Sequence, residues 1–119
     1  MTQGRPVILC VDDEPNALTL RKLVLQKAGY EVITASSGRQ ALELAQSRPI
    51  DLLLSDQLMP GMTGTQLAKE IKIIAPKTRI VLIFGVNEMP PDANIADAFL
   101  SKVEGPDALC NVVASALSN

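Results

Sequence analysis

Short, almost wholly apolar runs recur along this chain, and they limit its possible folds more than any other feature does. The runs VILCV (7–11), IDLLLSD (50–56) and RIVLIFG (79–85) are rich in Val, Ile and Leu, as is typical of strands that are covered on both faces. The runs YEVITA (30–35) and AFLSK (98–102) predict a second and a fifth strand. The sequence therefore predicts five short strands.

The first two stretches between these runs carry the signals of helices. Pro15 suits the first position of a helix that Gly29 closes. Ser37 is a suitable cap for a second helix, and Pro49 stops it. The first helix is amphipathic, with a pattern built from Leu18, Arg21, Lys22, Leu25 and Ala28.

Two more helices are predicted in the second half of the chain. One covers residues 64–75 and is ended by Pro76, with Leu67, Ile71 and Ile74 facing inward. The other opens at Gly105 and Pro106. Its inward residues are predicted to be Leu109, Val112, Val113 and Ala116.

The segment 86–97, between the fourth and fifth strands, is the least regular. Pro90 and Pro91 would interrupt any regular helix there. We expect at most a short turn near residues 92–96, so the fourth helix of an alternating fold is short, irregular or absent.

Alternating strands and helices predict an α/β fold, an open, doubly wound parallel sheet with helices on both faces. The 119 residues suit a single domain. Ligands of such sheets bind beyond the carboxyl ends of the strands. Functional residues are therefore expected where the apolar runs end.

Composition excludes several classes of function. The net charge is −2 without a Lys/Arg cluster, which argues against direct contact with nucleic acid or with a membrane surface. No histidine is present, so histidine chemistry has to come from a partner. Cys10 and Cys110 are expected to be core residues, and the first apolar run is too short for a signal or membrane segment. A cytoplasmic protein is expected.

Acidic residues end two of the predicted strands. Asp12 and Asp13 follow the first strand and Asp56 ends the third. If these strands are neighbours, the carboxylates repel one another unless a cation such as Mg²⁺ lies between them. Lys102, at the end of the fifth strand, can reach the same edge, unless it is an ordinary surface lysine. Such a set of groups suits phosphoryl transfer.

The segments ILCVDDEP, LLLSDQLMPGMTG and AFLSK, in this order and with helices between them, resemble the receiver domain of two-component response regulators. The resemblance covers essentially the whole chain, residues 1–119, and its most specific part is Asp56, the Met-Pro-Gly after it, and Gly64. It implies a flavodoxin-like sheet of strand order 2-1-3-4-5. It also implies that a phosphoryl group moves from a histidine to Asp56 in a phosphorelay.

The resemblance further implies roles for individual residues. Asp12, Asp13, Asp56 and the backbone carbonyl of Leu58 would bind Mg²⁺, and Lys102 would contact the phosphoryl oxygens. The phosphoryl donor would be a sensor histidine kinase or a histidine phosphotransfer protein. A downstream effector protein or a second copy of the chain would receive the signal.

The chain departs from the family pattern on the output side. Phe84 stands where the family has a Ser or Thr that bonds the phosphoryl group, and no neighbouring residue offers a hydroxyl. Phe99 fills the position of the family's switch aromatic. Val103 replaces the proline that usually follows the lysine, and a trans peptide bond is expected there. The conformational response to phosphorylation is therefore expected to be weak or unlike that of the family.

Two other functions have to be weighed against a phosphoacceptor that is not an enzyme with turnover. The first is a pseudo-receiver that serves as a constitutive protein-binding module, which Phe84 and the irregular fourth helix favour. The second is a small Mg²⁺-dependent phosphatase, which fits worse because no second acid is placed as a general acid. No output domain is expected after the last helix.

Overall fold

Parallel pairing of the apolar runs builds the centre of the protein. The computed structural model describes residues 4–85, 88 and 93–118. The five strands form one sheet in the order β2-β1-β3-β4-β5, and every pairing is parallel. Their bounds are β1 Val7–Val11, β2 Glu31–Ala35, β3 Leu52–Asp56, β4 Arg79–Phe84 and β5 Ala98–Ser101. The predicted α/β fold and strand order are confirmed.

Four α-helices connect or follow these strands within the described residues. They are α1 Pro15–Lys27, α2 Gly38–Ser47, α3 Gly64–Ile74 and α4 Pro106–Ser118. Pro15 begins α1 and the Ser37 hydroxyl caps α2 by accepting from the Gln40 amide, both as predicted. The cap of α1 was not predicted, because it is made by the longer side chain of Glu14, which accepts from the Asn16 and Ala17 amides.

The stretch before β5 has little regular structure in its described part. It contains one 3₁₀ turn, Ala93–Ile95, where a short turn was expected. Val86, Pro90, Pro91 and Asp92 lie outside the described residues. The expectation of a short or irregular fourth helix is thereby confirmed over residues 93–97.

The sheet separates two apolar layers, and alternate residues of each strand face opposite layers. Leu9, Leu53 and Leu82 pack with residues of α2 and α3 on one face. Ile8, Leu54 and others pack with residues of α1 and α4 on the other face. Because helices cover both faces, the central strands are buried along almost their whole length.

The inward face of α3 is shorter than predicted. Leu67 and Ile71 are buried as expected, but Ile74 is 43% exposed, so its prediction was wrong. The hydrophobic cluster beneath α3 includes Ile71 and does not reach Ile74. Ile74 is the last helical residue, and Ala75 already has a non-helical conformation. The periodic pattern thus continues one turn beyond the core.

Both cysteines are free thiols. Cys10 is a core residue as predicted, whereas Cys110 belongs to neither hydrophobic cluster, so its prediction as a core residue was wrong. Cys10 is completely buried in β1, and burial raises the pKa of its thiol to about 12. Cys110 is half-buried on α4. Among the described residues, no helix is long and apolar enough to cross a bilayer.

A close approach between α3 and β3 holds the start of the helix beneath the end of the strand. The Gly64 amide donates to the Gln57 carbonyl at 2.9 Å. A Cβ atom on Gly64 would lie 2.6 Å from the Asp56 carbonyl oxygen and 3.1 Å from the Gln57 Cα. Because backbone atoms cannot move aside as a side chain can, only glycine fits at this position.

We expect Gly64→Ala to lower the free energy of unfolding by about 1–3 kcal/mol, because the added methyl group overpacks a rigid contact. Equilibrium urea denaturation followed by circular dichroism measures this loss.

Gly38→Ala is the matched control, since Gly38 is likewise the first residue of its helix. A Cβ atom there would meet the Met62 side chain, with its Sδ at 2.7 Å and its Cβ at 3.1 Å. The Sδ atom can move by a change of rotamer, and the Cβ contact needs a shift of only a few tenths of an ångström. We expect a change within about 0.5 kcal/mol for this variant. Equal losses in the two variants would show that the contact with Asp56 is not rigid.

Candidate functional site

The carboxyl ends of three strands bring the predicted functional residues together. Asp56 is the last residue of β3, Asp12 follows β1, and Lys102 follows β5. Two backbone hydrogen bonds extend the sheet past the strand ends. The Asp12 amide donates to the Ala35 carbonyl at 3.2 Å, and the Lys102 amide donates to the Phe84 carbonyl at 2.7 Å. The backbone therefore fixes where these side chains begin.

Three carboxylates converge at this edge of the sheet. One oxygen from each of Asp12, Asp13 and Asp56 lies within 4.8 Å of the others. Asp12 and Asp56 are both only 3% exposed, whereas Asp13 is exposed. The three acids line a cleft of about 350 Å³, together with Lys102, Leu58 and others. The predicted cluster is thus present in space as well as in sequence.

Asp56 is held in an environment that disfavours its negative charge. Burial raises the pKa of its carboxyl group, and the neighbouring Asp12 charge raises it further. Lys102 and Arg21 oppose this shift, but the net direction is upward. A charged Asp56 therefore gains from any additional cation that enters the cleft.

One oxygen of Asp56 lacks a hydrogen bond. Lys102 Nζ lies 3.2 Å from Asp56 Oδ1, which makes an ion pair. The ammonium group does not approach in the direction of a hydrogen bond, and no other described group donates to this buried oxygen. A buried carboxylate oxygen without a donor is costly, and such atoms mark positions where a ligand is bound.

The donor set of the cleft fits a hard divalent cation. Its carboxylate oxygens are close together, and Asp56 Oδ1 has no hydrogen bond within the described structure. Mg²⁺ prefers oxygen ligands and commonly takes only a few of them from the protein, keeping water at the other positions. Leu58, whose backbone carbonyl was the fourth predicted ligand, lines the same cleft.

Arg21 is a member of the site that the sequence analysis did not assign to it. Its Nη1 lies 2.5 Å from Asp12 Oδ2, and the two side chains are 17% and 4% exposed. An inward arginine in the stripe between Leu18 and Leu25 was the available signal, because a cation on an apolar helix face requires a partner. The partner could not be identified from sequence, since many acids lie near the end of β1.

Polar side chains beneath the site connect β3 to α3. The Gln57 side chain accepts from the Thr65 amide at 2.8 Å and from its hydroxyl at 2.9 Å. Thr63 and Gln66 form a capping box at the start of α3. Gly61, with φ of +82°, makes the turn between Gln57 and Thr63. The loop after Asp56 is therefore fixed from below.

Phe84 occupies the end of β4, between β3 and β5, where the family pattern has a hydroxyl. Its side chain is 7% exposed and packs against Phe99, with ring centroids 5.1 Å apart and planes inclined by 44°. Phe99 is 38% exposed. The two aromatic rings form a contact pair, and Phe84 offers no hydrogen-bond donor to the cleft.

The turn after Lys102 differs from the family pattern in the predicted way. No described peptide bond is cis, so the Lys102–Val103 bond is trans as expected. The Glu104 amide donates to the Ser101 carbonyl at 3.1 Å, and the Glu104 side chain accepts from the Ser101 amide at 3.0 Å. This turn holds the backbone of Lys102 without a proline.

Comparisons with known proteins agree with this geometry. The sequence profile of the response regulator receiver domain matches residues 8–114. The transcriptional regulatory protein GlrR of Escherichia coli is 36% identical over 115 residues, which cover 92% of this chain and 26% of that protein. The sporulation initiation phosphotransferase F of Bacillus subtilis is 34% identical over 82 residues, which cover 69% of this chain and 66% of that protein. The chain thus spans about a quarter of the length of GlrR.

A solved structure of a similar protein contains ligands. The response regulator TrrA of Thermotoga maritima, in complex with Mg²⁺ and BeF, has a TM-score of 0.85 and 36% sequence identity. The match covers 92% of this chain and 97% of TrrA. With the family profile matched over most of its length, and with the fold and the acidic cleft in agreement, this chain belongs to the response regulator receiver domain family of two-component systems.

Proposed function

We propose that this chain is a phosphoacceptor in a two-component phosphorelay, with Asp56 as the residue that accepts the phosphoryl group. The observation that carries the proposal is the state of Asp56 Oδ1, which is buried, lacks a hydrogen bond within the described structure and lies 3.2 Å from Lys102 Nζ. Its neighbours Asp12 and Asp13 complete an acidic cleft. Asp56 is thus a buried carboxylate that has one cation, Lys102, beside it and two further acids that favour the entry of a second cation.

The phosphoryl donor is a phosphohistidine of a sensor histidine kinase or a histidine phosphotransfer protein. This histidine belongs to a partner, since this chain has none. A carboxylate oxygen of Asp56 attacks phosphorus, the bond between phosphorus and the imidazole nitrogen breaks, and the imidazole leaves with the electron pair. The product is an acyl phosphate on Asp56. Asp56 reacts as the carboxylate, and its raised pKa disfavours that form. Cations that enter the cleft lower the pKa of Asp56 and so favour the carboxylate.

Lys102 and a bound Mg²⁺ would share the neutralisation of charge. Asp12, Asp13, Asp56 and the Leu58 carbonyl would hold this ion, which would offset the negative charge of the phosphoryl oxygens. Lys102 pairs with Asp56 before transfer. After transfer it contacts a phosphoryl oxygen, because its ammonium group already lies beside the reacting carboxylate.

We expect one phosphoryl group to be added to the protein on incubation with acetyl phosphate and Mg²⁺, as measured by intact mass. Asp56→Asn should abolish the adduct, because an amide is a poor nucleophile. Chelation of Mg²⁺ with EDTA should also prevent it.

Asp107→Asn is the matched control for this experiment. Asp107 is an exposed acid in the first turn of α4, and its replacement should leave the adduct unchanged. An adduct that survives Asp56→Asn, or no adduct on the unmodified chain, would contradict the assignment of Asp56.

We further propose that phosphorylation produces only a small conformational response. Phe84 has no hydroxyl to donate to a phosphoryl oxygen, and its buried ring contacts Phe99 at 5.1 Å. The ring takes the space that Phe99 would need in order to turn inward. In addition, the Phe84 carbonyl is bonded to the Lys102 amide at 2.7 Å, which ties β4 to the turn after β5.

Beryllofluoride with Mg²⁺ is expected to cause only small changes in amide chemical shifts over residues 85–105. The Phe84→Thr variant restores the hydroxyl and removes the ring, and we expect larger changes in the same segment. Phe84→Leu, which removes the ring without adding a hydroxyl, should behave like the unmodified chain if the missing hydroxyl is decisive. Large changes in the unmodified chain would overturn the proposal of a blocked switch.

The second candidate function is a pseudo-receiver that binds a protein partner constitutively. The packed pair of Phe84 and Phe99 favours it, because this pair fixes one conformation of the surface near β5. The same mass measurement separates the two functions, since a pseudo-receiver does not acquire a phosphoryl group. In either case the recipient of the signal is a protein, either a downstream effector or a second copy of this chain.

A further inference from the structure

Arg21 forms a largely buried ion pair inside the acidic cleft. It lies in the second turn of α1, and its guanidinium group approaches Asp12 Oδ2 at 2.5 Å. The side chain of Arg21 is only 17% exposed and that of Asp12 only 4%. This arginine is therefore a fixed cation within the site, and it lines the cleft together with Lys102.

Asp12 has a donor for each of its oxygens, unlike Asp56. The Glu14 amide donates to Asp12 Oδ1 at 2.9 Å, and Arg21 donates to Oδ2. Asp56 Oδ1, in contrast, has no hydrogen bond in the described structure. Both oxygens of Asp12 are thus hydrogen-bonded within the protein, whereas Asp56 Oδ1 has only the ion pair with Lys102.

We infer that Arg21 is an internal counter-cation, which holds and neutralises Asp12 in the metal-free protein and competes with a divalent cation for Asp12 Oδ2. The inference rests on the proposed Mg²⁺ site. The guanidinium group is a positioning group for Asp12, and it acts in two opposite directions. It stabilises the fold without metal, and it weakens the binding of metal.

The burial of this pair distinguishes it from an ordinary surface ion pair. Arg48 and Glu31 are 2.6 Å apart, but their side chains are 40% and 49% exposed. Water screens such a pair, so its removal has a small effect. Removal of Arg21 would instead leave Asp12 as an uncompensated buried charge beside Asp13 and Asp56, which is strongly unfavourable until another cation enters.

The test compares Arg21→Met with the unmodified chain in EDTA and in Mg²⁺. In EDTA, we expect the thermal midpoint of the variant to fall. In Mg²⁺, we expect the midpoint of the variant to rise by more than that of the unmodified chain. Calorimetric titration should show Mg²⁺ binding about tenfold tighter in the variant, because a positive charge and a competitor for one oxygen have been removed.

Arg48→Met is the matched control, since it removes the same charge from an ion pair of similar length. This pair lies at the amino-terminal end of β2, away from the acidic cleft. We expect the Mg²⁺ dissociation constant of this variant to change by less than about twofold, because distant exposed charges are screened. Arg21→Gln provides a second neutral variant if Arg21→Met does not fold.

The signs of the two measurements separate the possible results. If Arg21 were only a structural residue, its removal would lower stability and leave Mg²⁺ binding unchanged or weaker, and that result would overturn the inference. If the unmodified chain did not bind Mg²⁺, the proposed metal site would fail, and the inference with it. Lower stability in EDTA together with tighter Mg²⁺ binding is the expected result.

Discussion

Mutual repulsion among carboxylates at one edge of an apolar sheet is the constraint on which the rest of this structure depends. Parallel pairing of β1 with β3 places Asp12 and Asp56 side by side, each almost completely buried. A fold that merely maximised apolar burial would not tolerate two such charges. The protein offsets them with Arg21, Lys102 and backbone amides, and it leaves one oxygen of Asp56 without a donor among the described groups. That remaining imbalance is the basis of the reactivity that we propose for the cleft.

Much of this arrangement could be predicted from sequence because it depends on short-range patterns. Runs of Val, Ile and Leu that end in acids identify β1 and β3, and the strand order followed from the resemblance to receiver domains. The burial of Ile74 was predicted wrongly, because periodicity along a helix does not show where the core beneath it ends. The contact of Arg21 with Asp12 was missed, because it depends on the angle at which α1 crosses the end of β1. A single sequence shows an arginine on the inward face of a helix, but it does not show which acid that arginine meets.

The two sides of the cleft differ in chemical character. The side formed by β1 and β3 carries the acids, and its loop is fixed by glycine and by the polar contacts of Gln57 and Thr65. The side formed by β4 and β5 carries Phe84 and Phe99, packed together. Phe84, at the end of β4, belongs to the apolar layer on one face of the sheet. The proposed reaction and the proposed small response therefore depend on different side chains, Asp56 and Phe84.

The buried thiol of Cys10 provides a different view of the same sheet. Cys10 lies in β1 between β2 and β3, and its pKa of about 12 leaves almost no thiolate at neutral pH. Thiol reagents attack the thiolate, so Cys10 is unreactive while β1 is paired. The half-buried Cys110 on α4 is more accessible. Labelling of Cys10 therefore reports on the opening of the sheet. The rate at which Cys10 becomes labelled measures how often β1, the strand that Asp12 follows, separates from its neighbours.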